Sequence, residues 1–153
     1  MKEDEAFLRD LDRSRRSVLR VADAMRSKGV IVSVPETVTR PDASVRRQYA
    51  DRGDLFATAR VEVKRRGLQF TCRADFPYQT LIVDEVYKVE GKSDPLLMYA
   101  ILSQSEDYAA VVYGWTRNQW ERQTMYDHAQ KRACEYYVID KERVRFCPVS
   151  EVI

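Results

Sequence analysis

The stretch Gly53-Asp54-Leu55-Phe56-Ala57-Thr58-Ala59-Arg60-Val61-Glu62-Val63-Lys64-Arg65-Arg66 decides how the chain is read. It divides into two strand-like runs, Gly53 to Thr58 and Ala59 to Arg66, joined by a tight turn or bend and closed by Gly67. Side chains alternate along a strand, so Val61 and Val63 share one face and Glu62 and Lys64 the other. The valines suit a core, which leaves the charged pair together on the opposite face or at an open end of the sheet. A preceding strand is expected to deliver Asp54 beside Glu62. Two carboxylates brought together repel unless a cation joins them, and hard oxygen ligands suit Mg²⁺ or Mn²⁺. Such an ion polarises a phosphate and lowers the pKa of bound water, while Lys64 orients that water or stabilises charge on the phosphate. The competing reading is an exposed strand face, because a lone E-x-K is common in a chain with 33% charged residues.

Outward from this stretch, the first 29 residues read as one long helix. Phe7, Leu8, Leu11, Val18, Val21, Ala22 and Met25 recur at helical spacing, and Gly29 is placed to end it. Val30 to Val34 is a short strand closed by Pro35, and residues 35 to 48 read as a loop. Phe70 to Arg73 is expected to continue the sheet, and Thr80 to Val83 is a further apolar strand. Leu96 to Leu102 and Ala109 to Tyr113 form a pair with Ser103 to Asp107 as the turn. Thr116 to Ala133 is polar and reads as a helix with Thr116 as N-cap. Trp115 and Trp120 are expected to pack it onto the sheet. Cys134 to Ile139 is a late strand that Val144 to Phe146 joins. This order implies an α/β domain with a mixed central sheet flanked by helices.

Composition narrows the chemistry. A length of 153 residues suggests one domain (1–153). No apolar run approaches a membrane span, and the acidic start Met1-Lys2-Glu3-Asp4-Glu5 lacks the pattern of a signal peptide, so a cytoplasmic protein is expected. Cys72, Cys134 and Cys147 are odd in number and lack C-x-x-C spacing, which fits reduced thiols. With His128 the only histidine, any hydrolysis is expected to depend on carboxylates and a metal rather than on a Ser/His or Cys/His pair. Between Arg40 and Arg73 nine basic residues face four acidic ones, a net +5 in a chain whose total is +2. A local basic cluster suits a polyanion such as nucleic acid. Arg46, Arg47, Arg52, Arg65 and Arg66 are the candidate phosphate contacts, with a plain arginine-rich surface as the alternative. Tyr49, Tyr78 and Tyr87 are candidates for base stacking, with core or rim packing the default. Asp84, Glu85 and Lys88 end an apolar strand. A solvated turn is preferred for them over a place at the same site.

The pattern Gly53-Asp54 … Val61-Glu62-Val63-Lys64 resembles the signature of the PD-(D/E)XK nuclease superfamily. Those proteins share a restriction-endonuclease-like core of a helix, three strands, a second helix and a fourth strand. The usual proline before the first aspartate is glycine here, as in Holliday-junction-resolvase-like members. Phe76 to Lys88 is similar, more loosely, to small phage-type proteins of this group. The resemblance implies a metal-dependent endonuclease acting on DNA, in which Asp54 and Glu62 bind Mg²⁺ or Mn²⁺ and Lys64 is the catalytic lysine. The backbone carbonyl of Val63 would be a further ligand. Many members add a glutamate from the first helix, for which Glu5 is the candidate and Glu3 the alternative. Lys88 is a possible accessory residue. No second domain for reading sequence is visible, so weakly specific or structure-directed cutting is expected, as a homodimer in one version. The rival expectation is a non-catalytic nucleic-acid-binding or interaction domain of the same fold.

Overall fold

A computed structural model describes residues 2–36, 55–93, 96–128 and 130–152, with side chains described from residue 14 onward within the first helix. The chain forms two compact units, Met1–Ala59 and Arg60–Ile153.

In the first unit, helix α1 (Lys2–Arg26) is followed by strand β1 (Val30–Ser33), which pairs antiparallel with β2 (Phe56–Ala59). Val18, Ala22 and Met25 turn inward at helical spacing, whereas Val21 is exposed. The expected stop holds: Gly29 has φ 81°, a left-handed conformation that glycine adopts without penalty, and its N–H donates to Arg26 O.

The second unit is built on two sheets. One is four-stranded in the order β3 (Val61–Arg65), β5 (Met98–Leu102), β6 (Tyr108–Tyr113), β9 (Arg145–Pro148). Its β3–β5 pair is parallel and the rest antiparallel, so the sheet is mixed. The other is antiparallel, in the order β4 (Thr80–Glu85), β8 (Arg132–Asp140), β7 (Glu121–Asp127). A five-residue helix α2 (Val86–Glu90) follows β4 directly. Between the sheets lies a core of Leu81 and Val83 from β4, Tyr99 and Ile101 from β5, and Tyr137 and Ile139 from β8. Met98, Ala109 and Val111 pack on the other face of the four-stranded sheet. The chain is therefore α/β with mixed and antiparallel sheets. No helix among the described residues is long and apolar enough to cross a membrane.

Several expectations give way. Thr116 to Ala133 is not a helix flanking the sheet. A 3₁₀ turn (Gly114–Gln119) leads into β7, whose partner is β8. β7 is an edge strand with both faces mostly polar, so it shows no period-2 signal; pairing rather than burial makes it a strand. Thr116 does not cap a helix. Its hydroxyl donates to Tyr113 O at 2.7 Å and accepts from Trp120 Nε1 at 3.1 Å. Trp120 is buried against Tyr99 and Tyr137, whereas Trp115 is exposed and stacks on Tyr113. Phe70 to Arg73 makes a turn rather than a strand, because Asp75 captures the N–H groups of Thr71 and Cys72. The Val144 to Phe146 segment pairs with β6, not with the late strand. Asp140 accepts the Glu142 N–H at 2.9 Å, which fixes a 3₁₀ turn that redirects the chain to the other sheet.

Candidate functional site

β3 is the strand on which the chemistry rests, and its faces are reversed from the expectation. Val61 and Val63 are exposed, while Glu62 and Lys64 turn toward the interior. The register gives the reason. Residues paired in a parallel ladder share a face, so Glu62 stands beside Tyr99 and Lys64 beside Ile101, both members of the core between the sheets. The edge position of β3 places its charges at the rim of that core instead of its centre.

From the opposite sheet, the end of β4 meets them. The β4–β8 register shifts between Ile82 and Asp84, a bulge that buries Val83, Asp84 and Glu85 in succession. Asp84 and Glu85 are thus not in a solvated turn; they are 3% and 5% exposed. Asp84 Oδ1 lies 2.8 Å from Lys64 Nζ and accepts the Glu85 N–H at 2.9 Å. Asp84 Oδ2 lies 3.3 Å from Lys92 Nζ, which follows Gly91 at the end of α2. Glu62 completes the group, 3.8 Å from Lys64 and 3.5 Å from Lys92. Two carboxylates and two ammonium groups therefore alternate. Burial by itself would raise the Asp84 pKa, but the Lys64 hydrogen bond and charge, the Glu85 N–H and Lys92 outweigh it and hold the carboxyl below its usual 3.8. Burial opposes the charge on Lys92, yet its neighbours, Asp84 and Glu62 among them, keep that ammonium protonated above its usual 10.5. Its Nζ lies 5.3 Å from the centre of the Tyr99 ring.

Of the expected site residues, Glu62 and Lys64 are brought together. Asp54, Arg46, Arg47 and Arg52 lie outside the described residues, as does Tyr49, and the side chain of Glu5 is not described. Arg65 pairs with Glu106 at 2.8 Å and Arg66 donates to Ile82 O at 3.4 Å, so both already have partners within the unit. Lys88 is drawn 2.5 Å from Glu85, which also accepts from Gln130 at 3.2 Å. Tyr78 and Tyr87 are exposed rather than packed in the core. Lys92 and Tyr99 were not legible as site residues. No spacing rule links them to Glu62, and only the fold-back of α2 and the β3–β5 pairing do so. Asp84 carried a signal, a charge set directly against an apolar β-branched run. A separate cavity of about 350 Å³, lined by Glu85, Glu90, Arg122, Arg132 and Cys134 among others, contains none of the four alternating charges.

Hard oxygen donors are present. Among the described residues no group of three Asp, Glu, His or Cys side chains could hold a metal ion. Mg²⁺ commonly takes only one or two carboxylates and keeps its remaining water, so Glu62 with a backbone carbonyl fits that chemistry. The Arg66 N–H donates to Leu102 O, which sets the parity of the parallel ladder. The even-numbered residues of β3 face β5, and Val63 directs its carbonyl to the other edge, where no described strand pairs. Comparison of the chain with known proteins gives no match to a family model, to a curated protein or to a solved structure.

Proposed function

We propose that the protein is a divalent-metal-dependent nuclease with a restriction-endonuclease-like fold that hydrolyses phosphodiester bonds of DNA. The observation that carries this reading is the inversion of β3, which exposes two valines and turns Glu62 and Lys64 toward a buried aspartate. Stability alone favours the opposite facing, because taking charges out of water costs more than their pairing usually returns. Charged groups held at the rim of a core against that cost suit catalysis. The resemblance of Gly53-Asp54 … Glu62-Val63-Lys64 to the PD-(D/E)XK signature supports the same reading.

Glu62 and the Val63 carbonyl would hold Mg²⁺ or Mn²⁺, with Asp54 added by the resemblance. When bound, the ion polarises the phosphate and lowers the pKa of its water. Lys64 supplies a fixed positive charge for the scissile phosphate, its Nζ anchored 2.8 Å from Asp84. Arg65, on the exposed alternate positions of β3, offers a backbone-phosphate contact at the cost of its pair with Glu106.

A second reading, a non-catalytic nucleic-acid-binding domain of this fold, is favoured by one observation. Two ammonium groups already balance the two carboxylates. A cleavage assay over single-stranded, duplex and branched DNA with Mg²⁺ or Mn²⁺ separates the two. Cleavage by the wild type, with Lys64→Ala about 100-fold slower or worse and its metal affinity intact, supports the nuclease. Wild-type rates from nuclease-free Lys64→Ala would sink the catalytic assignment.

A further inference from the structure

The roles proposed so far leave Lys92 unused, although it is as deeply placed as Lys64. The two lysine side chains are 24% and 21% exposed, and each lies within 4 Å of both Glu62 and Asp84. They take opposite oxygens of the same Asp84 carboxylate, Lys64 on Oδ1 and Lys92 on Oδ2. That carboxylate cannot readily turn, since Oδ1 also holds the Glu85 N–H at the start of α2. The Tyr99 ring, itself packed edge-on against Trp120, lies beside the Lys92 ammonium. One buried acid thus fixes two ammonium groups side by side, with the more exposed Glu62 as the open end of the group.

We propose that Lys92 is a second phosphate-contacting cation of this site and that Asp84 is the positioning residue for both lysines. The inference rests on the reading that the site takes nucleic-acid phosphate. The two ammonium groups balance the two carboxylates, and a Glu62 carboxylate turned outward leaves Lys64 and Lys92 together on the two oxygens of Asp84. A phosphodiester presents two non-bridging oxygens, and two ammonium groups held by one carboxylate match that pair. Glu62 is the contact that Lys92 gives up most readily, because it is the longer of its two and the more exposed.

The test measures binding of a fluorescein-labelled DNA duplex in EDTA across a salt series, and cleavage in Mn²⁺. Neutralising one phosphate contact shifts the log–log salt slope by about one. Lys92→Ala is expected to flatten the slope by about that amount and Lys92→Arg to retain it. Asp84→Asn removes a negative charge, so electrostatics alone tightens binding. A positioning role instead lowers kcat at least tenfold with KM not raised. An unchanged slope in Lys92→Ala, or wild-type kcat in Asp84→Asn, overturns the inference. Should Asp84→Asn fail to fold, the Lys92→Ala slope decides. A wild type that binds with the Lys92-dependent slope but cuts nothing overturns the nuclease reading and leaves the phosphate contact standing. A wild type that cuts while Lys92→Ala keeps its slope does the reverse. A wild type that neither binds in EDTA nor cuts in Mn²⁺ sinks both, and one that cuts without binding in EDTA overturns the inference alone.

Discussion

The carboxylate of Asp75 accepts the N–H of Thr71 at 2.9 Å, the N–H of Cys72 at 2.9 Å and the Thr71 hydroxyl at 2.7 Å. Three donors on one acceptor favour its ionised form, and the Thr71 hydroxyl is the largest influence lowering the pKa from 3.8. A depressed carboxyl adds stability that is complete above its unfolded value and lost as pH falls through the folded one. The Asp75 carboxyl carbon in an NMR titration is therefore expected to titrate below 3.8, and Asp75→Asn to flatten the stability curve only below about pH 4. An Asp75 midpoint at or above its ordinary value would show that the turn does not hold in solution. At the candidate site, Glu62→Gln tests a different property from Lys64→Ala. It removes a hard oxygen anion but no cation, so metal affinity and cleavage are expected to fall together in a paired titration and assay. Retained Mn²⁺ affinity would remove Glu62 from the ligand set.

Elements are decided here by their partners. β3 and β7 are both edge strands with weak patterning, and each takes its form from the strand beside it. β5 turns Glu62 and Lys64 to the core face by register, although an isolated V-E-V-K reads the other way. The turn after β6 is fixed by close approach. Gly114 donates its N–H to Leu97 O, and a Cβ there would sit 2.0 Å from Leu96 O. Because that obstacle is backbone, Gly114→Ala must displace the chain, at a cost of about 1–3 kcal/mol. In a chain of this size that lowers the melting temperature by roughly 2–10 °C, readable by circular dichroism. A melting point equal to the wild type would mean that the turn relaxes freely. Val63→Thr, on the exposed face of β3, is the matched control and is expected to shift it little.

At the scale of the whole molecule, the N-terminal unit holds a long helix and a two-stranded sheet, and the C-terminal unit holds the two larger sheets, with Glu62, Lys64, Asp84 and Lys92 among them. An ion bound only by the native protein stabilises it by mass action, about 2.7 kcal/mol at a hundredfold excess over Kd. Thermal unfolding is accordingly expected to move up by several degrees in Mn²⁺, and the shift to vanish in Glu62→Gln. An unmoved wild-type transition at millimolar Mn²⁺ counts against a metal site and for the binding-domain reading.

Features that local physics controls are legible in the residues alone. The long first helix and its stop at Gly29, the short strand at Val30, and the β5–β6 pair with its turn at Ser103 to Asp107 follow from periodicity and turn chemistry. The adjacency of Glu62 and Lys64 on one face follows from strand alternation alone. Pairing and packing settle what depends on neighbours distant in the chain. These are which face of β3 is buried, that Glu121 to Asp127 is a strand, and that β9 joins β6. They include the meeting of Asp84 and Lys92 with Glu62 and Lys64. The physical reason is that an edge strand of mixed polarity has no strong preference of its own. Its pairing partner and the bulge at Val83 supply one, and neither leaves a periodic trace in the residues they control.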